Sequence, residues 1–273
     1  MTAQAGGPYA GFGNALWNIV SARTAAKSLK AYLDPSKPPK YSGRAFDSFA
    51  HCRFDPFRIV GDDVVAVTML SIGITQAGNN LSPEMLLSLE EHSPAVSSLL
   101  HQIPPHLQLH KLTQADANDL LFNRNSPGSR LWYTVHDALK AGAANNGSRP
   151  VATYKLLARK RPHLFPIRDG KTKNPLGNAT PWWTAWWTVL TGNPRIVAKL
   201  TALRANEPLA AHLSLLRVAD IVVWMSQPRP PAGAGAGGAG PAGGPSQAGG
   251  TAPAGGPSQT GGPPTVWPSG ERH

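Results

Sequence analysis

Cysteine is nearly missing from this chain: Cys52 is the single one in 273 residues. One thiol excludes an intramolecular disulfide framework, a cysteine-ligated zinc site and an iron–sulfur cluster, and it fits a reducing compartment. Long apolar runs are missing too. No stretch approaches the roughly eighteen unbroken apolar residues of a membrane span, so no membrane partner is expected. The opening MTAQAGGPYAGFG has no basic segment ahead of an apolar core and does not read as a secretory signal. Acidic side chains are scarce, with 15 Asp and Glu against 26 Lys and Arg, a formal charge of +11. The expectation is a soluble, basic, cytoplasmic protein. No GxSxG, Walker or Rossmann pattern occurs, and no cofactor is expected.

Glycine and proline are plentiful, at 28 and 27 residues, but unevenly placed. From Pro228 the chain reads PRPPAGAGAGGAGPAGG and onward, and AGGPSQAGG at 242–250 recurs as AGGPSQTGG at 254–262. Such a stretch cannot bury enough apolar surface to offset the entropy of ordering it, so residues 228–273 read as a disordered Gly/Pro-rich tail. Glycine does not fall at every third position, which excludes a collagen-like helix. The remaining 227 residues keep 24 basic and 14 acidic side chains, and their length supports a real core. Three segments follow: an N-terminal helical preface over 1–40, a helical domain over 41–227, and the tail over 228–273.

Helical punctuation dominates the first two segments. Leu16, Ile19, Val20, Ala26, Leu29 and Leu33 recur at helical spacing before DPSKPP interrupts them. Ser82-Pro83-Glu84 sets a cap, a first-turn proline and an acid ahead of MLLSL. Thr113 with Asp116 opens a short helix, and Leu131, Trp132, Val135 and Leu139 mark one face of another. Thr180-Pro181 and Asn193-Pro194 repeat the cap-proline device, and LAAHLSLLRVADIVVWM at 209–225 reads as a central helix. The β-branched run DDVVAVTMLSIGIT (62–75) has strand propensity. A single strand would have no partner, so a buried helix capped by Asp62 is expected. The fold class is all-α.

The segment NNGSRPVATYKLLARKRPHLFPIRDGKTK (145–173) is the most informative. From Arg149 to Lys173 it holds eight basic residues and one acid. Asn145-Asn146-Gly147 signals a turn, Ser148 can cap the next helix, and Pro150 falls in its first turn. Val151, Tyr154, Leu157 and Ala158 line one side of that helix while Lys155 and Arg159 extend along another. A helix, a glycine turn and a second helix with basic flanks make a helix-hairpin-helix. Backbone N–H groups and the dipole at the second helix's start favour a phosphate. Lys155, Arg159, Lys160 and Arg161 are expected to add phosphate contacts without base selectivity. The alternative is a solvated basic face on an ordinary helical turn.

Other residues carry weaker signals. Trp182, Trp183, Trp186 and Trp187 form two i, i+4 pairs on one helix, suited to core packing, to base stacking or to a protein partner. His92, His101, His106 and His110 scatter among prolines without a metal-ligand pattern, so no metal is expected. Asp62-Asp63 and Glu90-Glu91 read as helix-end caps. Cys52 lacks the setting of an activated thiol and is expected to be buried or inert.

YSGRAFDSFA (41–50), GDDVVAVTMLSI (61–72), YKLLARKRPHLFPI (154–167) and LSLLRVADIVVWM (213–225) resemble an uncharacterised actinobacterial family of unknown function, over about 41–226. More distantly, the region resembles the helix-hairpin-helix base-excision DNA glycosylases. Leu70-Ser71 matches their early Leu-Ser step, Gly147-Ser148-Arg149 occupies their hairpin position, and Asp169 lies 22 residues after Gly147, where they carry a catalytic Asp. The resemblance implies a helical two-lobed fold, DNA bound across the hairpin through Gly147, Ser148, Arg149, Arg168 and Lys171 as well as the four cations above, and Asp169 acting at the sugar C1′ of a flipped nucleotide. The sequence departs from that pattern at Arg149 for the second hairpin glycine, at Val151 for the lyase lysine and at Ile72 for the gap-filling glutamine. A Schiff-base lyase is therefore not expected. The resulting expectation is a DNA-binding helix-hairpin-helix protein, either a monofunctional glycosylase-like enzyme or an inactive relative. The alternative is a scaffold that uses the tryptophan helix and the tail.

Overall fold

Apolar residues at helical spacing fold into helices throughout the described chain. The structure is a computed structural model that describes residues 7–36, 41–70, 81–143 and 149–227. The expected tail lies outside the described residues, as do Gly147, Ser148, Ser71 and Ile72.

The helices are α1 (Ala10–Ser21), α2 (Ala25–Leu33), α3 (Gly61–Thr68), α4 (Pro83–Glu91), α5 (Ser93–His101), α6 (Gln114–Ala117), α7 (Pro127–Ala141), α8 (Pro150–Lys160), α9 (Gly170–Lys173), α10 (Trp182–Gly192), α11 (Pro194–Ala205) and α12 (Leu215–Met225). No β-strand occurs among the described residues, and the all-α expectation holds. The run at 62–75 is helical through Thr68, and residues 71–75 lie outside the described chain.

Phe12, Leu16 and Val20 on α1, and Leu29 and Leu33 on α2, are buried in the same core as α10, α11 and α12. The segment expected as a preface thus shares its core with the rest. The central helix is α12, packed on α1, α2, α9 and α11. It starts later than its apolar run because Ser214 caps it, with Oγ accepting from Arg217 N at 3.0 Å.

Several capping expectations hold. Ser82 Oγ accepts from Met85 N, and Thr113 and Asp116 form a reciprocal capping box. Others need correction. Asp63, not Asp62, stabilises the start of α3, its Oδ2 accepting from Val60 N at 2.9 Å, while Asp62 pairs with the exposed Arg53. Glu90 and Glu91 end α4 rather than cap it. Neither Thr180 nor Asn193 caps its helix through its side chain. Cys52 is exposed, not buried.

α7 and α8 are the two arms of the expected hairpin and pack on each other. The end of α7 is steered by a close approach to α4. A β-carbon at Gly142 would sit 2.5 Å from the Glu84 carbonyl oxygen. Arg149, not Ser148, stands at the N-cap position of α8, with Pro150 following.

The basic run on α8 is where the structure departs most from the sequence reading. Lys155, Arg159, Lys160 and Arg161 have relative exposures of 3, 6, 1 and 0%. Arg159, Lys160 and Arg161 reach an irregular stretch of chain at 46–57, whose carbonyls at Phe46, Phe49, Asp55 and Pro56 accept from them, while Lys155 reaches the Leu70 carbonyl instead. Arg159 donates to the carbonyls of Phe46 and Phe49. Lys160 Nζ reaches the Asp55 carbonyl at 2.8 Å and the Asp63 carboxylate at 2.5 Å. Arg161 donates to the carbonyls of Ile103 and Pro56 at 2.6 Å, Leu100 at 2.5 Å and Lys160 at 2.8 Å. The Phe54 ring lies 4.5 Å from Lys160 Nζ, and the Phe57 ring 5.6 Å from the Arg161 guanidinium. The four side chains expected to contact phosphate are therefore internal braces. A buried carbonyl without a donor costs about 1–3 kcal/mol, so donors long enough to span the gap are strongly retained there.

Burial lowers the Arg161 pKa to about 10, which leaves it charged near neutrality. Replacing Arg161 by Met is expected to lower folding stability by about 3–5 kcal/mol, seen as a fall in the urea midpoint at unchanged m-value. Arg53→Met breaks the exposed pair with Asp62 and is expected to stay within about 1 kcal/mol of the parent.

Candidate functional site

The short helix α9 exists because Asp169 caps it. Thr172 N donates to Asp169 Oδ1 at 2.9 Å, and Asp169 N donates to Thr172 Oγ1 at 3.0 Å. That use of Oδ1 leaves Oδ2 to face Lys155, whose Nζ lies 3.5 Å away. Lys155 in turn donates to the Leu70 carbonyl at 2.6 Å. Three places singled out in the sequence thus converge: the Leu70 end of the α3 segment, the middle of α8, and Asp169.

They converge on a cleft of about 90 Å³ that Asp169 and Leu70 line together with Tyr32, Tyr41, Asp220 and Trp224. Part of the lining is aromatic. Tyr32 and Tyr41 stack at 5.3 Å, and the Trp224 ring meets both edge-on at 6.1 and 5.5 Å. The floor is a polar hub at Arg217. Its Nε donates to Asp47 Oδ2 at 2.8 Å and its Nη1 to Asp220 Oδ2. Its Nη2 donates to the Tyr32 hydroxyl at 3.0 Å and to the Gly43 carbonyl at 2.9 Å.

Gly43 permits this arrangement. A β-carbon there would overlap the Tyr32 hydroxyl and lie 2.8 Å from Leu70 Cδ2.

Burial dominates the electrostatics. It raises the Tyr32 hydroxyl pKa, against the pull of Arg217. It lowers Lys155, with Asp169 and Asp220 opposing. It pushes Asp220 up to about 6, helped by the nearby Asp169 charge and opposed by Arg217 and Lys155. Burial alone would lower Arg217, but Tyr32, Asp47 and Asp220 outweigh it and hold the guanidinium charged. The cleft therefore holds one carboxylate paired with an ammonium and a second carboxyl able to carry a proton close to neutrality.

Of the other expected site residues, Arg149 is buried, Arg168 is half-buried over the Tyr154 and Trp182 rings at 5.9 Å, and Lys171 is exposed beside Asp169. Gly147 and Ser148 lie outside the described residues. The tryptophan helix is core. Trp182, Trp183 and Trp186 are buried, and Trp187 packs on Phe122 and donates Nε1 to the Leu112 carbonyl at 3.1 Å. Of the readings open for these four residues, core packing describes Trp182, Trp183 and Trp186, and Trp187 is half-buried. No group of three or more His, Cys, Asp or Glu among the described residues is arranged to hold a metal. Among them no helix is long and apolar enough to cross a membrane.

The sequence reading missed Tyr32, Tyr41, Gly43, Arg217, Asp220 and Trp224. One signal was present: Arg217 and Asp220 are the two charges in the otherwise apolar α12, three residues apart, which marks a buried pair facing something polar.

Two outcomes follow. Gly43→Ala is expected to displace Tyr32 and lower stability by about 1–3 kcal/mol, measured by chemical denaturation. An acid whose folded pKa exceeds its unfolded one binds more protons when folded, so stability falls as pH rises between 3.8 and about 6. Asp220→Asn is expected to flatten that part of the stability–pH curve, measured by thermal melts across the window.

No curated protein and no solved structure matches the chain. The profile of a family of unknown function, DUF6308, matches residues 25–227, a range that holds every residue of the cleft, and the chain belongs to that family.

Proposed function

We propose that this protein is a helix-hairpin-helix protein acting on nucleic acid, and that Asp169 promotes hydrolysis of the N-glycosidic bond of a nucleotide turned out of its strand. The supporting observation is that Lys155 joins the Leu70 carbonyl to Asp169, and that Leu70 and Asp169 line one cleft with Tyr32, Tyr41 and Trp224. The half-buried Tyr41 and Trp224 rings suit stacking of a planar base. As the C1′–N bond breaks, positive charge develops on the sugar, and the Asp169 carboxylate stabilises it. Water adds its hydroxyl to C1′ and gives its proton to Asp169. The leaving base takes a proton, and Asp220, with a pKa of about 6, is the carboxyl able to give one.

The burial of Lys155, Arg159, Lys160 and Arg161 moves the backbone-binding role elsewhere in this reading. It falls to Arg168 and Lys171 beside Asp169, with Lys173 on the same short helix, and to Gly147 and Ser148, which lie outside the described residues.

The test is an excision screen on oligonucleotides carrying assorted damaged bases. Asn at 169 keeps an oxygen for the Thr172 amide, so Asp169→Asn should retain the fold while losing the charge. Excision is expected to fall by about a hundredfold or more in the variant. Equal product from both proteins on every substrate would overturn the reading.

A further inference from the structure

A second and larger cavity, of about 260 Å³, shares no lining residue with the cleft. Its walls come from the 3-10 turn at Leu109–Lys111, the chain after α8, α10, α11 and the start of α12. Four basic side chains line it: His110, Lys111, His163 and Arg204. Gln108 and Thr201 add neutral hydrogen-bonding groups, and leucines complete the wall. No carboxylate is among the lining residues.

The basic groups have few other tasks. Among the described residues, the side chains of His110, Lys111 and His163 make no hydrogen bond or ion pair, and Arg204 has one contact, Nη1 to the Leu213 carbonyl at 3.3 Å. This contrasts with α8, where buried cations are consumed by carbonyls and Asp63. Lys111 and Arg204 border the same open space without a carboxylate beside it, and an anion entering there is attracted by both. The histidines register the same field. Burial lowers both, and Arg204 lowers each further, with Lys111 also acting on His110.

We propose that this cavity binds a phosphate group, with Arg204 and Lys111 as its fixed charges and His110 and His163 as donors that take up protons when it enters. A phosphate fits better than a carboxylate because four donor-bearing side chains converge and its oxygens can accept from all of them. The cavity exceeds one phosphate in size, so the group arrives on a larger molecule. Two sources share this chemistry: a mononucleotide-like small molecule and the phosphorylated end of a nucleic acid strand. The site is separate from Asp169, and it stands or falls independently of the proposed hydrolysis.

The test is calorimetric titration of the full chain with inorganic phosphate, with adenosine 5′-monophosphate, and with one oligonucleotide with and without a 5′-phosphate. Saturable binding is expected in at least one phosphate arm, with proton uptake revealed by comparing buffers of different ionisation enthalpy. A response to the mononucleotide but no gain from the 5′-phosphate assigns a small-molecule ligand, whereas the reverse assigns a strand end. Arg204→Gln with His163→Gln is expected to weaken binding by about tenfold or more, and Asp169→Asn to leave it unchanged. Lys111 is exposed, so Lys111→Gln keeps the test available should the double variant not fold, with a loss of about threefold or more expected. No saturable binding in any arm up to ~10 mM, or binding unaltered in the folded variants, would overturn the proposal.

Discussion

Main-chain carbonyls without helical partners set the organisation of this protein. Between Phe46 and Phe57 the chain is largely irregular, with Phe46 buried, Phe49 and residues 54–57 half-buried, and Ser48 and residues 51–53 exposed, so its inward carbonyls take their donors from the protein. Arg159, Lys160 and Arg161 supply them from the end of α8, and the carboxylate of Asp63 balances part of their charge. Hydrogen bonds from ionised donors are among the stronger ones a protein makes. Their loss would leave several acceptors stranded at once. The positive charge of α8 is thus spent on architecture.

The cleft depends on that architecture. The segment braced by α8 leads back to Gly43 and Asp47, both of which bond to Arg217 on α12. Lys155, one turn before the braces, fixes the Leu70 carbonyl and faces Asp169. One helix therefore secures both the irregular wall and the carboxylate of the cleft, and α12 secures the aromatic side through Tyr32. A polar site assembled this way is preorganised, since each group is already bonded before a ligand arrives.

Much of the helical content was legible in the sequence because apolar spacing and capping pairs are local signals. Ser82-Pro83 and the Thr113–Asp116 box act within a single turn, and the structure keeps both. The run at 61–68 was legible for a different reason: a strand needs a partner, and none was in sight. Burial of charge was not legible. Lys155, Arg159, Lys160 and Arg161 look like a solvated row until the Leu70 carbonyl is known to face the first of them and the irregular segment a hundred residues earlier to lie against the other three. The tryptophan helix left core packing, base stacking and a partner surface open in the sequence, and which side chains are buried depends on α10 packing against α1 and α11. Asp169 was found through spacing to Gly147, but its partners Lys155 and Asp220 come from separate helices that only the fold brings near.

The two openings share a wall. The first turn of α12 borders the basic cavity through Leu215 and Leu216, and the rest of the helix borders the cleft through Arg217, Asp220 and Trp224. One helix thus contributes residues to both openings. Were a ligand at either opening to displace α12, reciprocity would require the effect to run equally in both directions.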